Sequence, residues 1–306
     1  MRQIVLLSGK GGTGKTALAS SFARLVHSDP DLPGAVFVDA DVDASNLALL
    51  IGSTPSETHE FIGGETAVID PVPCIACGIC QESCRFDAIR FSEDAGGFAV
   101  DPLAWEGCAA CFYQCPVDAV SRVSRLAGHW FRSESRFGPF FHAQLRPAQE
   151  NSGKLVARLK ERAAEVAVME DYPLMIVDGP AGVACPAIAA VTGADLALIV
   201  AEPTVAGLHD LERAGGLAAH FRLEPVVCIN KADLYDKGAE RIKDRCDALG
   251  MKVLGSIPFD ETVTRALVEG HPVTEYRPGS KASLAIEGLW GQVLEVMEEG
   301  SPRPRG

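Results

Sequence analysis

No stretch of this 306-residue chain approaches the roughly 20 consecutive apolar residues that a bilayer-spanning helix requires, so a membrane-spanning role of that kind is not expected. Basic residues are in short supply, 28 against 41 acidic ones, and the formal net charge is -13. A phosphate backbone would be repelled by that field unless a local patch overcame it, and no nucleic-acid partner is expected. No leader is expected either: Met1-Arg2-Gln3-Ile4-Val5-Leu6-Leu7 runs into a glycine-rich loop instead of a cleavage site, and a cytoplasmic protein is expected. The seven histidines show no paired metal spacing and receive no role. In a reducing compartment the ten cysteines are not expected to form disulfides, and the crowding of seven of them between Cys74 and Cys115 favours metal.

What is present begins at the N-terminus. The apolar run 4–7, the loop Gly9-Lys10-Gly11-Gly12-Thr13-Gly14-Lys15-Thr16 and the helix-forming stretch 17–26 read as strand, glycine loop and helix. The spacing G-x-x-x-x-G-K-T lets backbone N–H groups wrap phosphates at a helix N-terminus, with Lys15 on the β/γ oxygens and the Thr16 hydroxyl on Mg²⁺. Further apolar runs at 35–39, 174–178, 196–201, 226–229 and 253–257 alternate with helical stretches, which predicts an α/β fold built on a mostly parallel sheet. Asn230-Lys231-Ala232-Asp233 has the form N-K-x-D, in which an aspartate can pair with guanine, so ATP and GTP both stay open. Pro258, in Ile257-Pro258-Phe259-Asp260, is expected to line the other side of the base.

The cysteines repeat with an offset of 31 residues: Cys77, Cys80 and Cys84 fall on Cys108, Cys111 and Cys115. Cys74-x2-Cys77-x2-Cys80-x3-Cys84 is the bacterial ferredoxin run, whose fourth cysteine reaches the neighbouring cluster. By that crossed rule Cys74, Cys77, Cys80 and Cys115 hold one [4Fe-4S] cluster, while Cys84, Cys108 and Cys111 remain for a second, of [4Fe-4S] or [3Fe-4S] type. The offset carries Cys74 onto Trp105, so the second set lacks a ligand, and Arg85 stands where a proline usually follows the fourth cysteine. The alternatives are an empty second site, with the Trp105 indole filling it, and a four-thiolate zinc site from Cys74, Cys77, Cys108 and Cys111. Cys228 and Cys246 are expected to be buried packing residues, and Cys185, in Ala184-Cys185-Pro186, is either another such residue or one that a nucleotide-dependent movement could reach.

The loop Gly9-Lys10-Gly11-Gly12 resembles that of the MinD/ParA/Mrp superfamily of dimerising P-loop ATPases, the MinD-like SIMIBI type. The resemblance covers nearly the whole chain, with an inserted ferredoxin-like α+β domain. It implies ATP as the nucleotide, and a Lys10 that crosses to the partner's nucleotide and stabilises developing charge as an arginine finger does. It further implies that Asp41 positions the attacking water, that Asp39 and Asp178 serve Mg²⁺ with Thr16, and that 179–182 form a second switch. Asp43 could belong to the first switch or cap the next helix. Glu150-Asn151-Ser152-Gly153-Lys154-Leu155 and Glu202-Pro203-Thr204 also resemble the group.

The expected organisation is an ATPase domain at 1–63 and 126–306, an iron-sulfur insert at 64–125 and a return hairpin or loop at 126–150. Trp130, Phe131, Phe137, Phe140 and Phe141 could dock a partner or pack between domains. The helix expected at 282–298 is not basic, unlike the membrane-binding end of MinD, so a membrane role is disfavoured. The leading functional expectation is ATP-gated electron transfer by a homodimer, or by a heterodimer with a related ATPase, to a redox partner. An iron-sulfur carrier of the Mrp type, with a cluster-acceptor protein, is the alternative; a cell-division or positioning ATPase and a GTPase come after it.

Overall fold

The computed structural model describes residues 1–42, 45–146 and 152–299. Asp43, Glu150 and Asn151 lie outside the described residues. In chain order the elements are β1 (Arg2–Ser8), α1 (Lys15–Ser28), β2 (Ala35–Asp39), α2 (Leu47–Ile51) and β3 (Thr54–Ile69), then α3 (Ile79–Glu82), β4 (Ile89–Ser92), β5 (Gly97–Val100) and α4 (Ala110–Tyr113). They continue with β6 (Val120–Ser135), β7 (Gly138–Leu145), α5 (Ser152–Met169), β8 (Leu174–Ala181), α6 (Cys185–Val191), β9 (Leu196–Ala201) and α7 (Val205–His220). The last are β10 (Pro225–Asn230), α8 (Asp236–Leu249), β11 (Lys252–Ile257), α9 (Glu261–Val268), α10 (Val273–Tyr276) and α11 (Lys281–Glu299). Two compact units result. One is Met1–His59, His129–Gln144 and the chain from Ser152 onward; the other is Glu60–Gly128 with the short segment that begins at Leu145.

The sheet order is β11-β10-β9-β1-β8-β2-β7-β6-β3, and β1, β8, β9, β10, β11, β2 and β7 are joined by parallel pairings. The central strands are covered on both faces, which is why they read as continuous apolar runs without alternation. Helix α1 buries Leu18, Phe22 and Val26, one stripe at helical spacing, and Phe22 meets Trp290 of α11 with ring centroids 4.6 Å apart. Lys160 of α5 is buried, and its Nζ donates to the carbonyls of Ala189 and Thr192 at 3.0 and 2.6 Å, which satisfies the open end of α6.

Two expectations are corrected by burial. Phe140 and Phe141 pair in register with Phe37 and Val38 of β2, and both are fully covered together with Trp130 and Phe137. These aromatic residues are sheet core and not a docking face. Cys228 and Cys246 are buried as expected, whereas Cys185 is exposed at the start of α6.

His142 on β7 stacks between Phe131 and Phe140, with both ring centroids at 4.8 Å, and its Nε2 lies 3.0 Å from Ser133 Oγ. Burial lowers its pKa to about 4. The unfolded chain therefore binds a proton near pH 6.5 that the folded chain refuses, and this residue should cost stability as pH falls from about 6.5 to about 4. Urea titrations should show His142→Gln losing about 2 kcal/mol less than wild type across that window, after allowance for solvent screening. Equal slopes would overturn the assignment.

In the smaller unit the sequence repeat is also a backbone repeat. Helix α3 maps onto α4 at the offset of 31, and the positive-φ residues Ala76, Gly78 and Asp87 map onto Gly107, Ala109 and Asp118. Left-handed backbone at a non-glycine residue costs about 1 kcal/mol, so finding it at the same place in both halves marks a conformation the surroundings impose. A small core of Ala67, Cys80, Ala88, Ile89, Phe98, Trp105, Cys111 and Val120 holds the unit.

Candidate active site

The glycine loop leaves β1 and enters α1 through Gly14, which is left-handed at φ 97°. A side chain at Gly9 would place its Cβ 2.0 Å from Asp210 Cβ, and one at Gly14 would meet Asn230 Nδ2 at 2.4 Å, so neither position admits another residue. The first turn of α1 holds no acidic residue, and its free N–H groups carry the positive end of the helix dipole. Gly11 and Gly12 are exposed, and the Thr13 hydroxyl is buried without a partner. Lys15 is 7% exposed and donates to Ser8 Oγ at 2.6 Å, while that hydroxyl donates to Lys10 O at 2.7 Å. Burial lowers the Lys15 pKa, opposed by the charges of Asp178, Asp41 and Asp39.

Two of those carboxylates stand on adjacent parallel strands, Asp39 of β2 in register with Asp178 of β8. Asp39 and Asp178 are each 1% exposed. Asp39 accepts from Asp41 N at 3.0 Å, Ser45 Oγ at 2.8 Å and Leu47 N at 3.1 Å, which ties the loop after β2 to the start of α2. Burial, then the Asp178 charge, raises its pKa to about 8. Burial raises Asp178 to about 6 against the pull of Thr16 and Lys15. Neither Asp178 oxygen has a hydrogen-bond partner of good geometry. A buried carboxylate without a hydrogen bond of good geometry, beside a second buried carboxylate and the Thr16 hydroxyl, fits a divalent cation, since a hard cation takes oxygen donors and neutralises the repulsion.

Lys10 does not join this cradle. Its Nζ lies 2.9 Å from Glu202 Oε2 at the end of β9, and Lys231 Nζ lies 2.5 Å from Glu202 Oε1 and 3.3 Å from Gly12 O. Burial would raise the Glu202 pKa, but hydrogen bonds from Lys231 and Lys10 outweigh it and hold it low. Asn230 Nδ2 donates to Thr13 O at 2.7 Å, so the N-K-x-D motif clamps the glycine loop. Asp233 accepts from Phe259 N at 2.6 Å, linking the motif to the loop that carries Pro258. Sequence reasoning missed Glu202 and Ser8 as partners of the two loop lysines. The position of Glu202 directly after the apolar run 196–201 was the available signal. The 179–182 segment is tightly built: a Cβ at Gly179 would lie 2.3 Å from Leu6 O, and Gly182 N donates to Ser8 O at 2.9 Å.

In the smaller unit Cys74, Cys77, Cys80 and Cys115 line one cavity with Ile69, Phe98 and Val120. Ala119 N donates to Cys115 Sγ at 3.2 Å. Burial raises the Cys80 thiol pKa, as do the nearby charges of Cys74 and Cys77. Cys84 and Cys111 belong to the small core, Cys84 at its edge, and Cys108 is exposed. Among the described residues no three His, Cys, Asp or Glu side chains converge as they would on a single metal ion, and the four thiols of the zinc alternative are not gathered. A cluster makes a different demand, because each thiolate meets a different iron and the sulfurs stand around a cage.

A family model described as "CobQ/CobB/MinD/ParA nucleotide binding domain" matches residues 4–273. An uncharacterized protein of Methanocaldococcus jannaschii is 32% identical over 295 residues, 96% of this chain and 97% of its own length. The chloroplastic septum site-determining protein minD homolog of Arabidopsis thaliana is 32% identical over 333 aligned positions, covering 100% of this chain and 80% of that protein. Among solved structures, septum site-determining protein MinD of Pyrococcus horikoshii, complexed with Mg-ADP, matches at TM-score 0.58 and 17% identity over 99% of both chains.

Proposed function

This chain belongs to the CobQ/CobB/MinD/ParA nucleotide-binding domain family and is a P-loop ATPase, and from that premise we propose a dimerising ATP switch coupled to iron-sulfur clusters. Gly9, Gly11, Gly12, Thr13 and Gly14 cradle the phosphates, and Lys15 neutralises the β/γ oxygens. Thr16, Asp39 and Asp178 would hold Mg²⁺, which would supply positive charge at the phosphates. Asn230, Lys231, Asp233 and Pro258 surround the base. Asp41 orients a water whose oxygen bonds to the γ-phosphorus as the bond to the β–γ bridging oxygen breaks, leaving ADP and phosphate, which takes the water's proton. Lys10 acts on the nucleotide of a partner copy. Its placement outside the Lys15 pocket supports that role, since an exposed lysine held by one carboxylate can be withdrawn.

The single observation that carries the cluster reading is the cavity lined by Cys74, Cys77, Cys80 and Cys115, which joins three thiols of one repeat to one of the other. Its apolar walls would give a cluster low-dielectric surroundings that tune its potential, and the Ala119 N–H already donates to the Cys115 sulfur. A [4Fe-4S] cluster, when bound there, offers a one-electron carrier. Nucleotide contributes through differential affinity for the closed dimer, which alters cluster access for an acceptor protein. The test is anaerobic reconstitution with ferrous iron and sulfide, followed by iron counting and a nucleotide-dependent acceptor assay. Colour, about four or more irons per chain and ATP-dependent reduction of the acceptor are expected. Colourless, iron-free protein would overturn the reading.

A carrier or assembly role is the second reading, favoured by the exposure of Cys77 and Cys108. Transfer of ⁵⁵Fe-labelled cluster to an apo-acceptor separates it from electron transfer. The septum-site relatives favour a positioning role. Against membrane attachment through the expected helix, α11 has no basic residue in its last turn and buries Leu289, Trp290, Val293 and Met297. No helix among the described residues is long and apolar enough to cross a membrane, and the cytoplasmic location is part of this proposal.

A further inference from the structure

Two lysines of the nucleotide site share one carboxylate. Glu202 Oε2 lies 2.9 Å from Lys10 Nζ and its Oε1 lies 2.5 Å from Lys231 Nζ, with the Glu202 side chain only 11% exposed. The backbone beneath it has no freedom. A Cβ at Gly207 would stand 2.2 Å from Glu202 O, and one at Gly238 would stand 2.3 Å from Pro203 O. Thr204 N donates to Glu202 O at 2.7 Å, and Thr204 Oγ1 caps α7 by accepting from Gly207 N at 2.9 Å. Glu202 is therefore a fixed point just beyond β9, and the lysines come to it.

The two lysines are not held alike. Lys231 has a second acceptor in Gly12 O at 3.3 Å, and its neighbour Asn230 is tied to Thr13 O at 2.7 Å. Lys10 has Glu202 as its one ion pair among the described residues, and its side chain is 39% exposed. The main chain of Lys10 is fixed, because Ser8 Oγ donates to Lys10 O at 2.7 Å and Gly9 is pressed against Asp210. Only the side-chain torsions of Lys10 separate the Glu202 contact from a contact with another anion. A competing anion takes Lys10 and leaves Lys231 in place.

Resting on the partner-directed role of Lys10 given above, we propose that Glu202 is a positioning residue for ATP hydrolysis: it keeps Lys10 folded onto its own subunit, and a partner's nucleotide must draw the lysine off before turnover begins. The carboxylate thus acts through Lys10 and sets the protein concentration at which the two-subunit form takes over. One such contact opens in each subunit, so a weakened contact acts twice in every dimer. A half-exposed ion pair changes an equilibrium constant by at most about fivefold, and two of them by about 25-fold.

The test is sedimentation of the full-length chain with Mg²⁺ and a non-hydrolysable ATP analogue, alongside ATP turnover followed against protein concentration. Glu202→Gln keeps the shape of the side chain but has a single acceptor oxygen, which Lys231, the closer and doubly anchored lysine, retains. This variant should dimerise, and reach half-maximal turnover, at a concentration lower than wild type by up to about 25-fold. Glu202→Asp, with its carboxylate drawn back by one methylene, should shift the same way by less, and it carries the test if the amide variant does not fold. In a Lys10→Ala background the Glu202→Gln change should leave sedimentation unaltered, which a purely structural role would not do. Dimerisation of Glu202→Gln at the wild-type concentration or above it, or of Glu202→Asp where only that variant folds, would overturn this inference while leaving Lys10 its role. An equal shift in the Lys10→Ala background would do the same. Wild-type turnover in Lys10→Ala at every concentration would instead overturn the reading of Lys10 itself.

Discussion

Replacing Lys10 with alanine is expected to lower ATP turnover by about 10³-fold or more, the magnitude associated with losing a cationic finger, while nucleotide affinity stays within a few-fold of wild type. The two loop lysines are placed differently. Lys15 is covered and bonded to Ser8, whereas the Lys10 side chain is 39% exposed and meets only the Glu202 carboxylate among the ion pairs of the loop. A group outside the cradle adds little to ground-state binding, so its contribution belongs to the transition state. Wild-type specific activity should also rise with protein concentration, and that dependence should disappear in Lys10→Ala. Turnover equal to wild type at every concentration would refute the partner-directed role.

The second large effect is expected at Asp178. Its pKa of about 6 and that of Asp39 at about 8 both lie above the ordinary carboxylate value. Without a cation the folded chain keeps protons that the unfolded chain has already released, so these groups should reduce stability as pH rises from about 4 towards 8. Asp178→Asn removes one buried charge and should stabilise the Mg²⁺-free protein at pH 8 by about 2 kcal/mol. The same change should lower ATP turnover by about 10²-fold to 10³-fold, because no carboxylate remains to hold the cation. Thermal melts with and without Mg-ATP measure both: the variant should melt higher than wild type when metal-free and gain less from Mg-ATP. A variant that melts lower when metal-free and still hydrolyses at the wild-type rate would contradict the assignment.

The parallel sheet was legible because its strands are covered on both faces and must be apolar throughout. The runs at 196–201 and 35–39 coincide with β9 and β2, and the helix at 17–26 lies within α1. The glycine loop was legible for a local reason, since its spacing alone fixes which backbone groups face an anion. The edge strand β3 was not foreseen, because exposed residues such as Thr58 show neither a clean alternation nor an apolar run, whereas the return hairpin or loop expected at 126–150 overlaps β6 and β7. Glu202 was missed because its importance comes from two lysines at positions 10 and 231, a relation no local pattern contains. The buried reading of Cys185 fails because residue type says little about which end of a helix a side chain occupies.

The smaller unit's cavity draws three of its thiols from one repeat and the fourth, Cys115, from the other. Duplication has thus produced something that cannot be halved. A nascent chain stalled between Cys84 and Cys115 holds no finished pocket, and a fragment starting after Cys80 lacks three walls of it. Completion of the cavity must wait until the second repeat has been synthesised and folded back, so the whole pocket depends on a single late residue.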